Sequence, residues 1–163
     1  MLEKDKCEQL YKKIVLQREL YTLDEVESYS HALYGISFDL DGNIEACTMV
    51  LDDNDVYGMI YKAKQMKLSD LWSTLVLYTQ GWAAPYSNEH QRPSEHPEAK
   101  RVQLICVASK SQSNIESILC LDNDENNLSY DVSGKGKLSE ALTYLYSKDE
   151  VIYDNFNGSS YYI

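Results

Sequence analysis

The chain has 163 residues, 44% of them hydrophobic and 25% charged, with a formal net charge of −11 at pH 7. That length suits one domain with a core large enough to need no covalent staples. The charge argues against direct binding to nucleic acid or to an anionic membrane, because neutralising phosphates takes clustered Lys and Arg.

The longest apolar run, 71–80, is preceded by Asp70 and ends at Gln80, too short for a membrane span. The first residues are charged from Glu3 onward and contain no apolar signal core, so the expected location is cytoplasmic. Cys7, Cys47, Cys106 and Cys120 show no C-x-x-C spacing and read as reduced, mostly buried thiols. A Cys106–Cys120 bridge would need neighbouring strands and an oxidising compartment.

Cys7, Leu10, Tyr11, Ile14 and Val15 fall at i, i+3, i+4, i+7 and i+8, predicting an amphipathic helix. Thr22 with Glu25 fits a capping box, predicting a second helix through Val26, Tyr29 and Leu33 that carries His31 and stops before Gly35. Ile36, Phe38 and Leu40 then alternate with polar residues, and Asp41-Gly42 marks a tight turn, so 36–50 is predicted as a hairpin. Asp52 or Asp53 is expected to cap a third helix bearing Val56, Tyr57, Ile60 and Ala63.

The runs 71–80 and 102–108 are apolar on both alternating faces, the pattern of central strands covered above and below. Between them the polar span 86–100 holds two of the three histidines and two of the three prolines. Loops that long inside a compact domain tend to be functional or disordered. Ile115, Ile118, Leu119 and Leu121 predict a third strand, 128–132 an edge strand, and Leu138, Ala141, Leu142, Leu145 and Tyr146 a last helix. Residues 148–163 form a tail rich in aromatics, among them Tyr153, Phe156, Tyr161 and Tyr162, and are expected to dock on the domain or on a partner. The order is α-α-β-β-α-β-β-β-α. It predicts a single α+β domain over 1–163, with an antiparallel or mixed sheet of about five strands and helices packed on it. Without strict strand–helix alternation, a doubly wound nucleotide-binding fold is not expected.

Residues 36–44, with Asp39, Asp41 and Gly42 after an apolar strand, resemble the first motif of the haloacid dehalogenase superfamily. The resemblance implies a magnesium-dependent phosphohydrolase in which Asp39 is the nucleophile and Asp41 the general acid/base. Thr79 resembles the second motif, and Lys110 with Asp122 or Asp124 are loose counterparts of the third and fourth. Asn43 stands where that family usually has Thr or Val, and a hairpin turn accounts for Asp41-Gly42 without any chemistry.

His90 and His96 lie near Glu89, Glu95 and Glu98 at a spacing that matches no standard zinc site, so no metal is expected there. The segment from Ser133 to Lys137 lacks the P-loop pattern and reads as a turn into the last helix.

No catalytic set is complete, and the leading expectation is a binding protein. The chain holds 14 Tyr against two Phe, and exposed aromatics are typical of binding faces. The expected surface is the long loop, with Trp82 and Tyr86 supplying apolar area and His90, Arg92, Glu95 and His96 supplying polar contacts. The expected partner is a protein, a basic one. In its sharpest form the protein inhibits a nucleic-acid-binding protein by occupying that partner's basic groove. No cofactor is expected, magnesium belonging to the phosphohydrolase alternative alone. A third reading is a self-associating structural subunit, a homo-oligomer joined through its tail.

Overall fold

The computed structural model describes residues 4–23, 31–83, 95–110, 116–121, 128–131 and 137–146. In chain order the elements are α1 (Lys4–Leu23), β1 (His31–Phe38), β2 (Ile44–Asp53), α2 (Val56–Gln65), the short α3 (Leu68–Leu71), β3 (Thr74–Ala83), β4 (Lys100–Ser109), β5 (Glu116–Leu121), β6 (Leu128–Asp131) and α4 (Lys137–Tyr144). The strands form one sheet in the order β2-β1-β3-β4-β5-β6, and every neighbouring pair is antiparallel. The fold is α+β as expected, with six strands.

The sheet is the middle of three layers. Successive strand residues point to opposite faces, so β1, β3 and β4 feed two cores at once. On one face Leu33, Leu75, Leu77, Leu104 and Cys106 meet Val56 and Ile60 of α2 and Leu142 and Leu145 near α4. On the other, Tyr34, Val76, Tyr78, Ile105 and Val107 meet Leu10, Tyr11 and Ile14 of α1. This two-sided cover is why 75–78 of β3 and 104–108 of β4 are apolar at successive positions. Of the expected core, Leu75, Val76, Leu77, Leu104, Ile105 and Val107 are all buried. Leu119 lies in β5, but its side chain is outside the described residues.

The expected second helix is corrected. Helix α1 runs through Thr22 to Leu23, and 31–38, with His31 and Leu33, is strand β1. Every residue from His31 to Ile36 is buried between β2 and β3, and that tertiary setting outweighs the helical spacing of Val26, Tyr29 and Leu33. Residues 24–30 are outside the described part. The cap of α2 also lies two residues past Asp53. Strand β2 reaches Asp53, and Asp55 is the cap, its carboxylate accepting the Gly58 N–H at 3.0 Å. Asp53 in turn accepts the Asp55 N–H at 3.0 Å. Cys106 faces Ser117 across the ladder while Cys120 faces Gln103, so the two cysteines are not opposite each other, and Cys106 is buried. The tail, 148–163, lies outside the described residues. Among those described, no helix is long and apolar enough to cross a membrane.

Strand β2 is irregular. Its pairing with β1 steps from Leu33↔Leu51 to Tyr34↔Met49 and from Ser37↔Ala46 to Phe38↔Ile44, leaving Val50 and Glu45 as extra residues in two bulges. On the helical side, Trp72 closes the packing against β1. A Cβ added at Gly35 would sit 2.2 Å from the Trp72 ring. The Trp72 carbonyl accepts the Tyr146 hydroxyl at 3.0 Å, and Lys64 reaches the Tyr144 carbonyl at 2.5 Å, so α4 is tied to both α2 and the start of β3.

Two stability predictions follow from this packing. Gly35→Ala is expected to lower unfolding free energy by about 2–3 kcal/mol, because the ring has a strand behind it and little room to shift. A loss under about 0.5 kcal/mol in urea melts would show that the ring does not lie over Gly35. Lys67 holds a left-handed conformation, φ 55°, between α2 and α3. Lys67→Gly removes that strain and is expected to raise stability by about 1 kcal/mol.

Candidate functional site

Two polar regions stand out against the apolar layers: the sheet end where β1 begins, and the outer edge along β2.

At the sheet end, the register places Asp53 opposite His31 on one side, and Ala32 opposite Tyr78 on the other. His31 therefore lies beside Thr79, and its Nδ1 shares a short hydrogen bond with the Thr79 hydroxyl oxygen. The hydroxyl also donates to the Gln80 carbonyl at 3.3 Å. An imidazole that donates from Nδ1 to Thr79 while Thr79 donates to Gln80 satisfies all three groups. Burial lowers the His31 pKa, and the Arg18 guanidinium lowers it further, while Asp55 and Asp53 pull it back up. The ring is held neutral.

A hydroxyl beside an imidazole is the pairing used in nucleophilic catalysis. Here Thr79 is only 3% exposed and His31 9%, and both bond within the sheet. The pair clamps β1 to β3. On the opposite face of the same sheet end, Arg18 lies 4.4 Å over the Tyr78 ring. The Tyr78 hydroxyl donates to Gln103 at 2.7 Å and accepts from Gln80 at 3.1 Å.

Asp39, Asp41 and Thr79 are not brought together. Asp39 follows the far end of β1, eight residues from His31 and thus about 25 Å from Thr79 along the strand. The Asp39 carboxylate accepts the N–H groups of Asp41 and Asn43, each at 2.9 Å. Its backbone N–H donates to the Asn43 carbonyl at 2.9 Å, and Gly42 takes φ 81°. These bonds build a five-residue hairpin connection, longer than the two-residue turn that Asp41-Gly42 suggests. Asp39, Asp41 and Thr79 do not fit a shared magnesium site. Among the described residues no three His, Cys, Asp or Glu are placed to hold a metal.

The expected loop surface is described only in part. Trp82 pairs with Arg101 through the backbone of β3 and β4, and its side chain lies outside the described residues, as do Tyr86, His90 and Arg92 entirely. Glu95 is exposed, and the half-buried His96 accepts the Glu98 N–H at 3.0 Å within a local turn.

What sequence reasoning missed is the edge. From Glu19 to Tyr61 the chain has ten Asp or Glu and no Lys or Arg. Glu19 lies in α1, and six more acids of that stretch, Asp39, Asp41, Glu45, Asp52, Asp53 and Asp55, fall on the β1–β2 hairpin and the start of α2. None of the six is buried, and Asp39, Asp41 and Glu45 are exposed. The lost clue was the absence of a base over 43 residues, not any one cluster of acids. Lys6 approaches from α1 and donates to the Gly42 carbonyl at 2.7 Å. Cys47, half-buried on β2, has its thiol pushed up to about 11 by burial and is no nucleophile at neutral pH.

The His31 clamp makes stability depend on pH. The unfolded imidazole takes up its proton near pH 6.5, and the folded one only below that. Its contribution is therefore full above about pH 6.5 and is lost as pH falls toward the lowered folded value. Urea melts across this range should show wild-type stability dropping below about pH 6.5, with a shallower slope in His31→Gln. An unchanged slope in His31→Gln would place the titration elsewhere.

The chain matches no family model, no curated protein and no solved structure.

Proposed function

We propose that the protein works by binding a basic protein partner, with the acidic edge of the sheet as the contact surface. One observation carries the reading: a 43-residue stretch without Lys or Arg supplies both strands at this side of the sheet. A predominantly acidic surface steers an oppositely charged partner and disfavours like-charged ones, Lys6 of α1 reaching the hairpin at the Gly42 carbonyl. The β2 end that holds Asp52 and Asp53 lies at the same sheet end as the last residues of β3 and the first of β4. The sequence at and between those strand ends carries Trp82, Tyr86, His90, Arg92, Glu95 and His96, which the proposal keeps as a further contact. In the sharper form of the proposal, the partner's basic surface is one that otherwise holds nucleic acid, and the acidic edge competes for it.

The test is capture from a native lysate on the immobilised protein, run beside a Glu45→Gln/Asp52→Asn variant. The expected result is one dominant basic protein, retained at low salt, released as salt rises, and retained less by the variant. Adding the protein should then weaken that partner's binding to nucleic acid. Retention that ignores both salt and the two substitutions would sink the acidic-surface reading. A partner that binds nucleic acid equally well with and without the protein would remove the inhibitor form alone.

A further inference from the structure

The edge of the sheet carries more than charge. Among the described residues β2 has a strand neighbour on one side only, and none of its ten residues is buried. The outer backbone N–H and C=O groups of such a strand are a template for another strand. The two bulges divide the pairing, and its longest unbroken run is residues 46–49, which face Ser37, Ile36, Gly35 and Tyr34 on β1, with residues 51–53 a shorter run beyond Val50. Residues 46–51 are uncharged. Glu45 and the turn with Asp39 and Asp41 lie at one end of them, Asp52 and Asp53 at the other.

We propose that the outer edge of β2 takes up, as an added strand, an extended segment of the partner with an uncharged β-forming centre and Lys or Arg at both ends. The inference rests on the acidic edge being the contact surface and adds how the contact is made. Glu45 and Asp52 are seven residues apart, about 23 Å along a strand, so the basic flanks must bracket a centre of roughly six residues. A second copy of this chain is a poor occupant. Both ends of β2 are acidic, so pairing of two copies in either direction sets acid against acid. The chain's own tail is also of the wrong sign, with Asp149, Glu150 and Asp154 against Lys148. A segment of opposite sign at both ends meets neither obstacle, and backbone pairing is the ordinary way an exposed edge recognises an extended peptide.

The probe is a synthetic peptide with a Thr-Val repeat as centre and two Lys at each end, beside a control with Glu at each end. Binding to the full-length protein is read by fluorescence anisotropy at low and high salt. Two further Lys-flanked peptides are N-methylated at alternate positions, one series on each edge of the strand. Expected is salt-sensitive binding of the Lys-flanked peptide alone, lost in one N-methyl series and kept in the other, with slowed amide exchange at residues 46–49. Glu45→Lys/Asp52→Lys should weaken it about tenfold. Equal binding of both N-methyl series overturns strand addition while leaving the acidic-surface reading intact. Failure of every peptide, with a basic partner still captured from lysate, does the same; failure of both removes the two readings together. Outward-facing amides among 46–49, those not bonded to β1, already slow without peptide also overturn the proposal, assigning the edge to the chain itself if the protein is monomeric and to a second copy if it is dimeric.

Discussion

The fold depends on the two-sided burial of β1, β3 and β4. A strand with apolar residues at every position cannot leave either face to water, so helices are required above and below the sheet. The chain meets this with α1 on one side and α2, α3 and α4 on the other. Each buried Leu, Ile or Val contributes about 1.5–3 kcal/mol relative to exposure, and nine such residues sit in the three central strands. The antiparallel order follows from short local connections such as the β1–β2 hairpin. What this architecture cannot remove is the pair of edges. Strand β2 has to lie where its outer backbone is not covered by β1, and its composition is shaped by that position.

An acidic edge strand is both protection and selection. Natural sheets guard their edges with charge and bulges, and β2 has both: Glu45 and Val50 are the bulged residues, and acids flank the uncharged centre. Against a second copy of the chain the charges repel. Against a basic segment they attract, so the device that blocks self-association points toward a partner of opposite sign. The His31–Thr79 clamp is separate. It ties β1 to β3 one strand further in, so edge charges can be altered while the clamp stays in place.

Much of this fold was legible in the sequence, and the errors have definite causes. The spacing from Cys7 to Val15 gave α1, and the doubly apolar runs gave β3 and β4 as central strands, because both patterns report burial directly. The segment from 24 to 38 was misassigned because Val26, Tyr29 and Leu33 satisfy a helical spacing by coincidence. His31, Ala32 and Tyr34 were the contrary signs: a strand buried on both faces tolerates residues of either class at every position. Trp72 over Gly35 was not foreseeable, since it depends on how α3 returns the chain to the sheet. For the site, the Asp39–Asp41 motif was read from local sequence, whereas its separation from Thr79 is a property of strand length and direction. The acidic edge was in plain view as composition. It became a surface only when strand order put the β1–β2 hairpin on the outside.

Magnitudes decide how such an edge can recognise anything. The longest unbroken stretch of β2 is four residues, room for about four backbone hydrogen bonds worth roughly 0.5–1.5 kcal/mol each. Ordering four residues of a free peptide costs about 1–2 kcal/mol apiece, so the ladder by itself comes out near zero. Backbone pairing therefore supplies geometry, fixing direction and register, and the charges at the two ends supply the net attraction. That division explains why the bulges do not spoil the edge as a docking strand: they shorten the ladder but leave the acids about 23 Å apart on its flanks. It also makes the contact weak, salt-sensitive and reversible. Those properties are the ones the proposed competition with a polyanion for a basic segment requires.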